Sequence, residues 1–196
     1  MSLVVLTGAV RSGKSAAAER LALTRGVPVV VAVAGWGGDE EMARRIAAHE
    51  ADRPASWTTI AATTDPAWLA DVPPNALLVL DCLGTLVSNA CYERVGEAEI
   101  ASAAHEAAVH ADADAIASAL ISRSGDTIVV TNEAGWGIVP AWPSARIFRD
   151  AVGRANRTLI DAADAAYLVI DGRFLDLHAL PQEPAWPSDE SDANRD

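Results

Sequence analysis

One lysine occurs in the 196 residues, and it stands inside Gly8-Ala9-Val10-Arg11-Ser12-Gly13-Lys14-Ser15. This is the complete spacing of a phosphate-binding loop. Every other strongly basic side chain is arginine, so the lysine marks a place that needs a compact ammonium on a flexible stem. In such a loop the backbone N–H groups curl round phosphate oxygens and the glycines let the chain approach closely. Lys14 bridges the β- and γ-phosphates, and the Ser15 hydroxyl is a magnesium ligand. The flanks agree with this chemistry. Leu3-Val4-Val5-Leu6 reads as a short buried strand, and Ser15 to Leu23 as a helix whose N-terminus favours anions. A chance glycine turn would account for neither the fixed positions nor the flanks. The segment predicts binding of a nucleoside triphosphate.

Asp81 closes the apolar run Ala76-Leu77-Leu78-Val79-Leu80. A strand-end acid in a phosphate-loop fold holds magnesium directly or through water; the competing reading is an N-cap for a helix beginning at Cys82. Thr131–Pro140 follows another strand, with Gly135, Gly137 and Pro140 shaping a loop from which Asn132 and Glu133 can face the site. It is not the Asn-Lys-x-Asp guanine reader, because it has no lysine; a plain turn would look similar. His49 shares one helix face with Met42 and Ile46. From spacing alone it reads as a histidine packed at a helix end. The alternative is a nucleophile whose imidazole nitrogen attacks the α-phosphorus of a triphosphate, releasing pyrophosphate and leaving a phosphoramidate. Arg45 and Arg53, four residues to either side, would then help neutralise phosphates. His105, His110 and His178 lie in polar or peripheral contexts and receive no role. Cys82 and Cys91 are too few and too poorly spaced for a disulfide framework or a zinc site.

The elements that must position these groups follow from hydrophobic pattern. Val27–Ala34, Trp57–Ile60, Asn75–Leu80, Thr127–Thr131, Ala166–Ile170 and Arg173–Leu177 read as strands. Glu40–Ala51 (capped by Asp39), Asp65–Ala70, Leu83–Tyr92, Ala98–Arg123 and Ser144–Ala163 read as helices. Alternation of the two kinds predicts an α/β fold with a mostly parallel sheet covered on both faces, ligands gathering at the carboxyl ends of the strands. Residues 1–180 are expected to form one domain and Pro181–Asp196, rich in Pro, Ser, Asp and Glu, a disordered acidic tail. A formal net charge of −12 argues against nonspecific nucleic-acid binding. With no run of 18 apolar residues and a first strand that starts at once, neither a membrane span nor a signal peptide is expected, and the reading is cytoplasmic.

Taken together, these segments resemble the bifunctional adenosylcobinamide kinase / adenosylcobinamide-phosphate guanylyltransferase family of cobalamin biosynthesis. The likeness is carried by Thr7–Ser15; by Asp39–Ile46 with His49, Arg53-Pro54 and Trp57; by Asp81-Cys82-Leu83 with Ser88-Asn89; and by Thr131–Pro140 continuing to Arg146, Phe148-Arg149-Asp150, Gly153 and Asn156. The resemblance implies a RecA-like P-loop NTPase fold and two reactions. The hydroxyl of adenosylcobinamide is phosphorylated from ATP or GTP, and GMP is then transferred from GTP to that phosphate through a GMP-histidine intermediate. It places the histidine at His49, overriding the spacing-only reading. It assigns nucleotide contacts to Gly8, Ala9, Val10, Arg11, Ser12, Gly13, Lys14 and Ser15, to Val33, Ala34 and Gly35, and to Glu50, Ala51, Asp52 and Arg53. Asp81 takes the position used for Mg2+ or nucleotide, and Asn132, Glu133, Arg146 and Arg149 line the phosphate or corrinoid. It also implies a homotrimer with sites near subunit boundaries. Four positions depart from the family pattern: Ala9-Val10 replaces Gly-Ala, Gly84 stands where Thr is frequent, and Ala61 stands where a nucleotide-contacting Glu is common. The last bears on guanine preference.

Overall fold

The computed structural model describes residues 1–35, 53–96 and 101–184. The helix expected over Glu40–Ala51 and most of the expected tail lie outside the described residues. Seven strands form one sheet in the order β3-β2-β4-β5-β1-β6-β7. They are β1 (Leu3–Gly8), β2 (Val29–Val33), β3 (Thr58–Ala61), β4 (Leu77–Asp81), β5 (Thr127–Val130), β6 (Ala165–Ile170) and β7 (Arg173–Asp176). All neighbours pair in parallel except β6 and β7, an antiparallel hairpin at one edge. The four central strands β2, β4, β5 and β1 are nearly continuous runs of Val, Leu and Ile, as a sheet buried on both faces requires.

Alternation along those strands divides the core into two layers. Leu6, Val31, Val79, Ile128 and Val130 point to the face covered by α1 (Lys14–Leu23), through Ala17, Ala18 and Ala22. Val5, Leu78, Leu80 and Val129 point to the opposite face. That face is covered by α2 (Leu83–Val95), α3 (Ala103–Ser122) and α4 (Pro143–Ala162), whose Leu83, Leu86, Ile116, Leu120 and Leu159 are buried. Each such side chain contributes about 1.5–3 kcal/mol by leaving water.

Element ends differ from the sequence expectations where caps decide them. Ser102 accepts from the His105 N–H and the His105 ring faces the Ser102 N–H, a reciprocal capping box that starts α3 at Ala103 and gives His105 a structural task. The helix expected over Asp65–Ala70 is a 3-10 helix, Pro66–Asp71, with the Asp65 carboxylate accepting from Ala67 N–H. Pro143 opens α4 at a position where no N–H is missed. No helix among the described residues is long and apolar enough to cross a membrane.

Candidate nucleotide site

At the carboxyl end of β1 the chain leaves the sheet through Gly8, whose φ is 146°. A Cβ there would fall 2.3 Å from the Val169 carbonyl oxygen of β6, so only glycine lets the loop start this close to its neighbour. Gly13, with φ 97°, is the left-handed N-cap of α1 and turns the chain into the helix. Between them Ser12 N–H donates to Ala9 C=O at 3.3 Å. Lys14 begins α1 and folds back over the loop. Its Nζ donates to Gly8 O at 2.9 Å and Ala9 O at 2.7 Å, and lies 3.4 Å from Ser12 Oγ. Lys14 as a whole is 6% exposed. Burial pushes its pKa down, opposed by the nearby Cys82 and Asp81.

The loop is braced from both sides. Gly172 N–H, at the tip of the β6–β7 hairpin, donates to Ser12 O at 2.9 Å, and Glu133 N–H donates to Gly8 O at 3.0 Å. The hairpin brace is a contact that sequence reasoning missed. Its available signal was Asp171-Gly172, a dipeptide suited to a tight turn with positive φ at both positions, and both are positive here.

Asp81 ends β4, separated from β1 by β5 alone. The register aligns Ala61, Val33, Asp81, Val130 and Leu6 in one row across the sheet. From the next turn of chain, Ser15 reaches over that row, and its Oγ donates to Asp81 Oδ1 at 3.1 Å. The N-cap of α2 is Cys82, not Asp81. A hydroxyl and a carboxylate oxygen at this separation, beside a phosphate cradle, fit magnesium, which takes one or two protein oxygens and fills its other positions with phosphate and water. Among the described residues no cluster of three or more His, Cys, Asp and Glu would compete as a metal centre.

The remaining candidates fall into three groups. Val33 and Ala34 lie at the carboxyl end of β2, next to Asp81 in the sheet, with Gly35 exposed beyond them. Arg53 is buried against α1, its Nε 3.0 Å from Glu19 Oε1, and its Nη1 has no hydrogen-bond partner among the described residues. His49, Glu50, Ala51 and Asp52 lie outside the described residues.

The loop after β5 forms the third group. Thr131 Oγ1 donates to Asn156 Oδ1 at 2.6 Å, and Asn156 Nδ2 donates to Asn132 O at 2.9 Å, so a buried amide on α4 fixes the exit of the strand. Asn132 turns toward α2. A Cβ at Gly84 would meet its Nδ2 at 2.9 Å, which gives the glycine at that unusual position a packing reason. Glu133 Oε1 accepts from Gly135 N–H. Arg146 Nη1 donates to Pro140 O at 3.0 Å and Ala141 O at 2.7 Å, and Arg149 Nη1 lies 3.5 Å from Gly137 O. Both arginines thus reach the carbonyls of the loop that Glu133 begins.

The loop, the strand-end acid and the third segment thus converge at the carboxyl ends of β1, β4 and β5. Residues 4–177 match the family described as cobinamide kinase / cobinamide phosphate guanyltransferase. The chain belongs to this family. It is 38% identical over 176 residues to the bifunctional adenosylcobalamin biosynthesis protein CobU of Salmonella typhimurium, covering 87% of this chain and 96% of that one. It is 35% identical over 175 residues to the protein of the same name from Escherichia coli, with the same coverage. Among solved structures it is similar to an ATPase of the type III secretion system of pathogenic bacteria, with TM-score 0.53 and 12% identity, covering 85% of this chain and 50% of that one. That likeness concerns the fold, a RecA-like arrangement in which one strand separates the loop-bearing strand from the strand ending in the acid. Membership of the cobinamide kinase / guanyltransferase family makes the chain a bifunctional transferase of cobalamin biosynthesis.

Proposed function

We propose that one nucleotide site, built on Gly8–Ser15, performs both reactions. The observation that carries the reading is the convergence of the buried Lys14 ammonium, the Ser15 hydroxyl and the Asp81 carboxylate at the mouth of the loop. In the kinase step the loop N–H groups and Lys14 hold the β- and γ-phosphates of ATP or GTP while the hydroxyl of adenosylcobinamide approaches in line. The Lys14 donors now directed at Gly8 O and Ala9 O turn to phosphate oxygens, whose charge offsets the desolvation of the ammonium. Ser15 and Asp81 would hold Mg2+, which would supply charge neutralisation of the phosphates.

In the second step the loop offers no nucleophile for the α-phosphorus, and His49 is assigned that task. Its imidazole nitrogen bonds to the α-phosphorus of GTP, the bond from that phosphorus to the bridging oxygen breaks, and pyrophosphate leaves. An oxygen of adenosylcobinamide phosphate then attacks the same phosphorus, the P–N bond breaks, and the histidine is restored. Val33, Ala34, Gly35 and Glu50–Arg53 border the nucleotide, and Asn132, Glu133, Arg146 and Arg149 the acceptor side. A cytoplasmic homotrimer is part of the same reading.

The test is to mix the protein with Mg2+ and GTP labelled at the α-phosphate, denature it, and measure bound label. Acid-labile, base-stable label that disappears in His49→Ala is the expected result. Wild-type protein that binds GTP and carries no label would refute the covalent route.

A further inference from the structure

The two acceptors differ in one respect that the site must answer. The kinase acceptor is a neutral alcohol, which has to lose a proton as its oxygen bonds to the γ-phosphorus. The guanylyl acceptor is a phosphate that is already ionised. A proton acceptor is therefore needed for one reaction only, and it must stand where an incoming alcohol meets the loop.

Two clefts meet at such a point. One, of about 240 Å³, lies between Ala9, Val10 and Ser12 of the loop and Glu133 and Trp136. The other, of about 490 Å³, runs along α4 and β6 past Gly153, Arg157 and Leu168, and shares Glu133 and Trp136 with the first. A large acceptor lying in the longer cleft would present its hydroxyl to the loop at Glu133. The backbone fixes this residue, because its N–H donates to Gly8 O, the carbonyl that also receives Lys14. Its Oε1 is held by Gly135 N–H, and its Oε2 carries no hydrogen bond among the described residues. Among the described residues near the mouth, three other groups are differently engaged, and Asp171, the other carboxylate of the smaller cleft, sits at the exposed turn of the β6–β7 hairpin. Lys14 is a donor, Asn132 is not basic, and an Asp81 oxygen already accepts from Ser15.

We propose that Glu133 is the catalytic base of the kinase step, an assignment that rests on the nucleotide site proposed above. The acceptor O–H bond breaks and its proton passes to Glu133 Oε2. The oxygen bonds to the γ-phosphorus, the bond from that phosphorus to the β,γ-bridging oxygen breaks, and the nucleoside diphosphate leaves. The proton is released to water when the phosphorylated product departs.

Glu133→Gln keeps the acceptor oxygen for Gly135 N–H and removes the base. Phosphorylation of cobinamide is expected to fall about 10²–10⁴-fold in kcat/KM. Protein-bound GMP formed from GTP alone is expected to persist. Kinase activity within threefold of wild type would overturn the assignment, as would equal loss of phosphorylation and bound GMP, which would mean a role in holding the loop. Wild-type protein without kinase activity would instead overturn the underlying reading of the site.

Discussion

Lys14 is held in a state that only a ligand of opposite charge improves. Its ammonium is nearly excluded from water and its donors are met by two loop carbonyls. Neutral carbonyls compensate a buried charge less well than phosphate oxygens do. Asp126 shows the complementary case at the far end of the sheet, where a carboxylate serves stability alone. It accepts from Arg25 and from Ser2 N–H, the latter at 2.9 Å, and these bonds hold its pKa below the ordinary carboxylate value. A depressed pKa adds stability above the unfolded value, lost as pH falls through the folded one. Asp126→Asn should therefore lower the melting temperature at neutral pH, by an effect on the order of 1 kcal/mol. The gap to wild type should close below about pH 4. Melting curves from pH 7 to pH 2 check this, and a gap that widens on acidification would contradict it.

Asn156 ties an element to the site. Its amide joins α4 to the last residue before the loop and to the loop's first carbonyl. Asn156→Ala leaves a buried hydroxyl and a carbonyl without partners, at a cost of about 1–3 kcal/mol. Melting should drop accordingly. KM for the corrinoid should rise while nucleotide binding, set by Gly8–Ser15, changes little. An unchanged melting temperature would show that the bridge carries no load. Much of this scale was legible in advance. Apolar runs located β1, β2, β4, β5 and β6, and the spacing Gly8…Gly13-Lys14-Ser15 identified the loop, because fixed residue types do fixed work there. The rest depended on contacts between distant segments. Nothing near Thr131 announces that Asn156 is its partner, and nothing near Ser12 announces the hairpin tip at Gly172. Arg146 and Arg149 are likewise recognisable as cations from sequence, but their bonds to Pro140, Ala141 and Gly137 follow from how the loop bends.

Across the whole molecule, the site sits on a strongly acidic chain of net charge −12. A triphosphate is therefore drawn in by local donors at the loop rather than by the overall field. Around the mouth the surface is apolar instead: Val10, Trp136, Ile138 and Trp142 are each more than 70% exposed. An apolar rim beside a charged cradle suits an acceptor that is bulky and carries its reactive group at one end. The order of strands could not be read from the sequence, because β5, late in the chain, inserts between β1 and β4. That insertion sets the spacing between the loop and Asp81 on which the proposed chemistry depends.

The proposed chemistry places both reactions at a single nucleotide site. It is tested most directly with Lys14→Met, which keeps an apolar stem of similar length and removes the ammonium. Phosphorylation of cobinamide and protein-bound GMP from α-labelled GTP would be measured on the same preparation, beside wild type. Both should fall by at least about 100-fold, since the β- and γ-phosphates of either nucleotide lose the same contact. Bound GMP at the wild-type level with phosphorylation abolished would mean two separate nucleotide sites, and would contradict it.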